Sequence, residues 1–151
     1  MTVSPPKLIA RLTVVTLGVS DMRKSIAFYD SLGFARKLEV TGEAVAFFET
    51  GGSVLALYPW TQLAQDAGIA EHPRPSGFRG ATFAWNCRNN NEVDAVLAFA
   101  VAKGAVLLKP AQKTEYGGYS GYLTDPDGHP WEVVVAPGIE VGDDRLVHLP
   151  D

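Results

Sequence analysis

The chain has 151 residues, 46% hydrophobic and 20% charged, with a net charge of -4, a composition that predicts one globular domain and excludes disordered or fibrous classes. The acidic balance and the absence of any basic run exclude the electrostatic footprint of a nucleic-acid binder. A single cysteine, Cys87, cannot close an internal disulfide, the N-terminal stretch has no signal-peptide pattern and no apolar run is long enough to span a bilayer, so the expectation is a soluble, cytoplasmic protein without nucleic-acid or membrane partners.

In chain order, "RLTVVTLGV" (11–19) predicts a strand buried on both faces. "SDMRKSIAFYDSLGF" predicts a helix, capped by Ser20 or Asp21, with Met22, Ile26 and Tyr29 on one face and Gly33 as a left-handed C-terminal cap. "RKLEV", "AVAFFET" and "SVLALYP" predict three antiparallel strands, with turns at Thr41-Gly42 and Gly51-Gly52. Residues 60–79 hold one short amphipathic segment and a Pro/Gly-rich connection.

The order then repeats. "GATFAWNC" predicts a strand, "NNNEVDAVLAFAVAKGA" a capped helix ended by Gly104, and "VLLKP", "GYSGYLTD" and "PWEVVVAP" three further strands. The junction residues Asp21 and Asn89 and the helix-ending glycines Gly33 and Gly104 recur at nearly equal spacing, which predicts an internal duplication. The fold class is therefore α+β, with two βαβββ modules. A single domain over 1–151 is expected, with module one about 11–60, a connection about 61–79, module two about 80–136 and a tail 137–151. The tail shows no periodicity and reads as a surface segment or a partner-contacting arm. One face of each sheet is covered by its own helix, so the other faces are expected to enclose a cleft between the sheets.

Within "YLTDPDGHPWEVVV", Asp125-Pro126-Asp127-Gly128 has a sufficient explanation as a tight turn, with His129 flanking it. Alternation along the last strand places Glu132 and Val134 on one face and Trp131, Val133 and Val135 on the other. A carboxylate on an otherwise apolar strand, buried without a cation, needs hydrogen-bond donors or a proton. Thr82, Tyr58 and Tyr119 are candidate donors. Cys87 has no partner at catalytic spacing and reads as an inert thiol. "TEYGGYSGY", with Gly117-Gly118, reads either as a mobile rim or as ordinary loop packing, and Trp60 and Tyr119 are candidate aromatic walls.

"VTLGVSDMRKSIAFYDSLGF" and "GYLTDPDGHPWEVV" resemble the two signatures of the vicinal oxygen chelate superfamily, the group of glyoxalase I, bleomycin-resistance proteins and extradiol dioxygenases. The resemblance spans roughly residues 11–136. It implies four inward positions, two per module, which hold a divalent ion in metalloenzyme members. Carried onto this chain they fall on Val14, on Ala56 (or Tyr58 in the neighbouring same-face register), on Thr82 and on Glu132. Only Glu132 is a metal-binding residue type, whereas a catalytic ion needs about three protein ligands.

The expectation is therefore a cleft without metal or other cofactor. It binds or converts a small organic ligand through Val14, Ala56, Tyr58, Trp60, Thr82, Tyr119 and Glu132, with Glu132 as the catalytic candidate. The alternatives are a divalent-metal enzyme of lactoylglutathione lyase, extradiol dioxygenase or epimerase type, and a drug-sequestering protein of bleomycin-resistance type. The resemblance also implies a homodimer.

Overall fold

Two four-stranded sheets with the same internal order form the frame of the computed structural model, which describes residues 2–151. In the first half, β1 (Val14–Val19), α1 (Met22–Ser31), β2 (Ala35–Lys37), a 3-10 turn (Glu39–Thr41), β3 (Ala46–Glu49) and β4 (Val54–Pro59) follow one another. A short helix, α2 (Trp60–Asp66), leads into the connection. The second half runs β5 (Phe83–Asn86), α3 (Asn90–Ala102), β6 (Val106–Lys113), β7 (Tyr119–Thr124) and β8 (Pro130–Val135). The tail adds β9 (Glu140–Val141) and β10 (Val147–His148). The sheet orders are β1-β4-β3-β2 and β5-β8-β7-β6, with β1 parallel to β4 and β5 parallel to β8. The duplication expected from the sequence is thus a duplication of topology.

Local chemistry sets the helix ends as the sequence indicated. The Asp21 carboxylate accepts from the Lys24 N–H at 3.0 Å, and the Asn89 side chain accepts from the Glu92 N–H at 2.9 Å. Gly33 and Gly104 end the two helices at φ 95° and 109°, a region where a side chain is strained. Met22, Ser25, Phe28 and Tyr29 form the buried stripe of α1, and Val93, Leu97 and Ala100 that of α3. Both stripes and the inward faces of both sheets join one apolar core. A fully buried leucine or phenylalanine there contributes about 1.5–3 kcal/mol.

Three details differ from the sequence reading. β1 is buried on one face only: Leu17 and Val19 are in the core, but Val14 is 43% exposed and Thr16 is exposed too, because β1 is an edge strand covered only on its helix side. The "RKLEV" strand stops at Lys37, because Leu38 turns left-handed at φ 50° and the 3-10 turn follows. The "VLLKP" strand instead continues through Pro110 to Lys113 with two register shifts, which an edge strand tolerates since its outer N–H groups need no partner.

The DPDG segment is a turn, as expected, and also a strut between the halves. Asp125 accepts from the Asp127 and His129 N–H groups and from the Tyr29 hydroxyl of α1 at 2.8 Å. Asp127 accepts from the Ser20 N–H and hydroxyl at 2.9 and 2.8 Å, from the Ser25 hydroxyl at 3.1 Å and from Arg74. His129 is buried rather than a mere flank: its Nδ1 accepts from Arg79 at 2.7 Å, leaving Nε2–H to donate to the Gly18 carbonyl at 2.8 Å. The turn of one module therefore satisfies the first strand–helix junction of the other.

Candidate functional site

Directly opposed residues of neighbouring strands share a sheet face, so the registers define the rows on which any site must stand. In the second sheet one row reads Ala84–Glu132–Tyr122–Lys109, on the face away from α3. In the first sheet the corresponding row reads Thr16–Ala56–Phe47–Lys37. Glu132 stands where Ala56 stands in the other module, and Tyr122 where Phe47 stands. Val14 precedes Thr16 by one same-face step, and Thr82 precedes Ala84 by one, so the four positions carried over from the resemblance occupy matching places in the two halves.

Glu132 is half-buried on this outer face, as the strand alternation indicated, with Trp131 and Val133 turned to the core. Its immediate polar neighbour is Tyr122, a residue the sequence reading did not select. A signal was present, because Tyr122 and Glu132 lie equally far on either side of Asp127, and pairing outward from that turn sets them opposite each other. Burial, then the negative charge of Glu132 opposite it, push the Tyr122 phenol above its usual range. The phenol consequently keeps its proton and remains a donor beside the carboxylate.

The other candidates separate. Tyr119 lies on the opposite face of its strand, packs against the core and donates its hydroxyl to Asp94 of α3 at 2.7 Å. It is not beside Glu132. Tyr58 pairs with Gly18 across the β1–β4 ladder, on the same face as Ala56. Trp60 opens α2 and covers this end of the first sheet so closely that a Cβ on Gly18 would lie 2.9 Å from its ring. Arg74 and Arg79 lie over the Trp60 ring at 4.7 and 5.7 Å, and its indole N–H donates to the His72 carbonyl at 2.7 Å. Trp60 is thus held as a wall by its cation–π and hydrogen-bond contacts. Thr82 is exposed just before β5 and borders an open cavity of about 630 Å³ that neither Glu132 nor the other five candidates line. Cys87 is buried, and that burial, reinforced by Glu92, pushes its thiol up to about 12, so it is an inert thiol as expected.

Residues 11–133 match the model of the Glyoxalase/Bleomycin resistance protein/Dioxygenase superfamily. Metallothiol transferase FosB of Lysinibacillus sphaericus (strain C3-41) is 32% identical over 114 residues, 76% of this chain and 74% of that one. The crystal structure of a glyoxalase-related enzyme from Fulvimarina pelagi is similar at a TM-score of 0.83 and 33% identity, over 95% of this chain and 100% of that chain. Lactoylglutathione lyase from Agrobacterium tumefaciens shares the fold at a TM-score of 0.63 and 24% identity, over 87% of this chain and 95% of that one.

The expectation of a cleft without a cofactor is overturned by the FosB relative, whose name carries a metal. The donor chemistry on this chain is nevertheless sparse: Val14 and Ala56 have no ligating atom, Thr82 has a neutral hydroxyl, and Glu132 alone has a carboxylate. Among the described residues no group of three or more His, Cys, Asp or Glu side chains is placed to hold an ion, so these residues do not by themselves complete a metal site. Matched along its two signatures, its duplicated sheets and most of its length, the chain belongs to the Glyoxalase/Bleomycin resistance protein/Dioxygenase superfamily.

Proposed function

We propose that this protein binds a small organic molecule on the outer sheet face beside Glu132, with Tyr122 holding the carboxylate and Trp60 closing one end. The observation that carries the reading is the Glu132–Tyr122 pair, a carboxylate and a protonated phenol side by side on a half-buried face. Such a pair can accept from and donate to one ligand group, or take up a proton from it. Val14 and Thr16 are exposed on the outer face of β1, which favours a homodimer in which this surface is covered. The single buried thiol suits a cytoplasmic setting.

A thermal-shift screen against glutathione adducts and cationic glycopeptides tests this reading. A ligand present at a hundred times its Kd stabilises the native state by about 2.7 kcal/mol, and Glu132→Gln is expected to abolish that shift. An unchanged shift in Glu132→Gln sinks the assignment.

A second reading is favoured by the FosB relative: metal-dependent transfer of a thiol to a small molecule. Glu132 is then the one ligating side chain of the four positions. Elemental analysis of protein purified without chelator, together with an assay for thiol adducts, separates the two. Stoichiometric metal that is lost in Glu132→Gln selects the second.

A further inference from the structure

The 630 Å³ cavity reaches neither Glu132 nor Tyr122 and touches their row only at Ala84; it lies between β5 on one side and the end of α1 with the β3–β4 turn on the other, and the tail hairpin closes one side of it. Its floor is aromatic. Trp85 and Phe34 pack at a tilt with centroids 5.5 Å apart, Phe34 and Trp131 at 6.0 Å, and Trp131 and Phe83 at 5.4 Å. All four rings are only partly buried although they pack on the core, so they leave apolar surface facing the opening. Its size falls in the range of ligand pockets, roughly 300–1,000 Å³.

The polar groups around it are biased in one direction. The two carboxylates are engaged: Glu49 faces Lys37 at 3.8 Å, and Glu92 accepts the Arg88 N–H at 3.0 Å. The Trp85 indole N–H, the Thr82 hydroxyl, the Asn86 amide and the Arg145 guanidinium line the same cavity, and none has a hydrogen-bond partner or ion pair among the described residues. Each offers an N–H or O–H, and one offers a positive charge.

Arg145 is held there at some conformational cost. Among the described residues it is one of two non-glycines at positive φ, at 66°, in the turn between β9 and β10, where its N–H donates to the Gly142 carbonyl at 2.9 Å. The tail lies so close to the β3–β4 turn that a Cβ on Gly51 would stand 3.1 Å from Arg145 Cβ, and one on Gly52 would stand 3.0 Å from Leu146. Two consecutive glycines thus admit the hairpin that brings Arg145 to the mouth.

We propose that this cavity is a second binding site, distinct from the Glu132 face, for a small molecule with a flat apolar body and a carboxylate. The body lies on the Phe34–Trp85–Trp131 surface, and the carboxylate meets Arg145 with the Trp85 N–H. The proposal stands on this cavity alone and does not depend on the function assigned to Glu132.

Titration with 2-naphthoate, followed by tryptophan fluorescence, is the test, with 2-naphthalenemethanol as the uncharged control. The carboxylate is expected to bind about tenfold or more tighter than the alcohol, the effect of one charge-assisted hydrogen bond. Arg145→Gln should remove that difference without altering binding of the alcohol. Val141→Trp, and independently Ser53→Trp from the opposite wall, should block both probes, with circular dichroism confirming the fold of each variant. The signal should persist in Trp60→Phe and in Glu132→Gln. Failure of 2-naphthoate to bind at millimolar concentration overturns the proposal, as does equal binding by Arg145→Gln or loss of the signal in Trp60→Phe. Binding that disappears as the protein is concentrated into a dimer overturns it too, because the cavity then belongs to a second copy.

Discussion

The two modules share a scaffold and differ in chemistry. Each begins with an edge strand, caps its helix with Asp21 or Asn89, ends it with a left-handed glycine and folds its strands in the same order. Their central outer rows even end alike, on Lys37 and Lys109. Between those ends, module one carries Ala56 and Phe47 where module two carries Glu132 and Tyr122. The last turns diverge as well. Gly51-Gly52 makes room for the tail, whereas Asp125-Pro126-Asp127-Gly128 reaches into the other module. Repetition therefore reports how the backbone is built, and the departures from it report where binding and inter-module adhesion have been concentrated.

The largest expected break comes from the DPDG strut. Asp127→Ala leaves the Ser20 N–H and hydroxyl, the Ser25 hydroxyl and Arg74 without their shared acceptor. We expect a loss of about 3 kcal/mol in urea unfolding, the scale for breaking a buried, hydrogen-bonded ion pair. Thr50→Ala in the module-one turn, which removes one half-buried hydroxyl that donates to the Ser53 carbonyl, should cost less, about 1 kcal/mol. Equal losses at the two turns would end the comparison.

Acid sharpens the same point. Burial by itself raises the Asp127 pKa, but the Ser20 donors and Arg74 outweigh it, and the net effect is a carboxyl below its ordinary value of 3.8. A depressed folded pKa means that stability is present above the unfolded value and is lost as pH falls through the folded one. Unfolding curves measured between pH 5 and pH 2, in ~0.5-unit steps across this titration, should therefore fall less steeply in Asp127→Asn than in the parent protein.

The helix caps should behave oppositely, since here the modules are alike. Asp21→Ala and Asn89→Ala each remove one acceptor at the N-terminus of a helix, at ~1 kcal/mol apiece. The two losses should match within experimental scatter and should add in the double variant, because the sites share no partner. Strong non-additivity in thermal unfolding would mean that the helices are coupled beyond their shared core.

What the sequence disclosed follows from the range of the interactions involved. Caps, helix-ending glycines and the DPDG turn act over a few residues, so they were legible, as was the separation of Glu132 from Trp131 and Val133 by strand alternation. Ser20 and Asp127 are 107 residues apart, and no local pattern announces that one completes the other. The tail hairpin escaped for a similar reason, since its strands are only two residues long and it rests on the distant Gly51 and Gly52. Tyr119 lies beside a glycine pair, but register alone decides which tyrosine shares a face with Glu132, and it places Tyr122 there.

The smallest change in stability should carry the most information about the site. Tyr122→Phe and Glu132→Ala together convert the module-two row into the residues of module one, Phe and Ala, between Ala84 and Lys109. Tyr122 and Glu132 are only half-buried, so removing their polar atoms should shift stability by less than about 1 kcal/mol. Ligand binding on the outer face should be lost in the double variant. Tyr122→Phe alone should weaken it about tenfold, the value of one hydrogen bond to a charged group. Calorimetric titration with a ligand found in the thermal-shift screen measures both effects. Because Phe47 already sits in the matching place of the other sheet, the substituted ring is known to fit such a row, and any loss of affinity can be assigned to the missing hydroxyl rather than to packing.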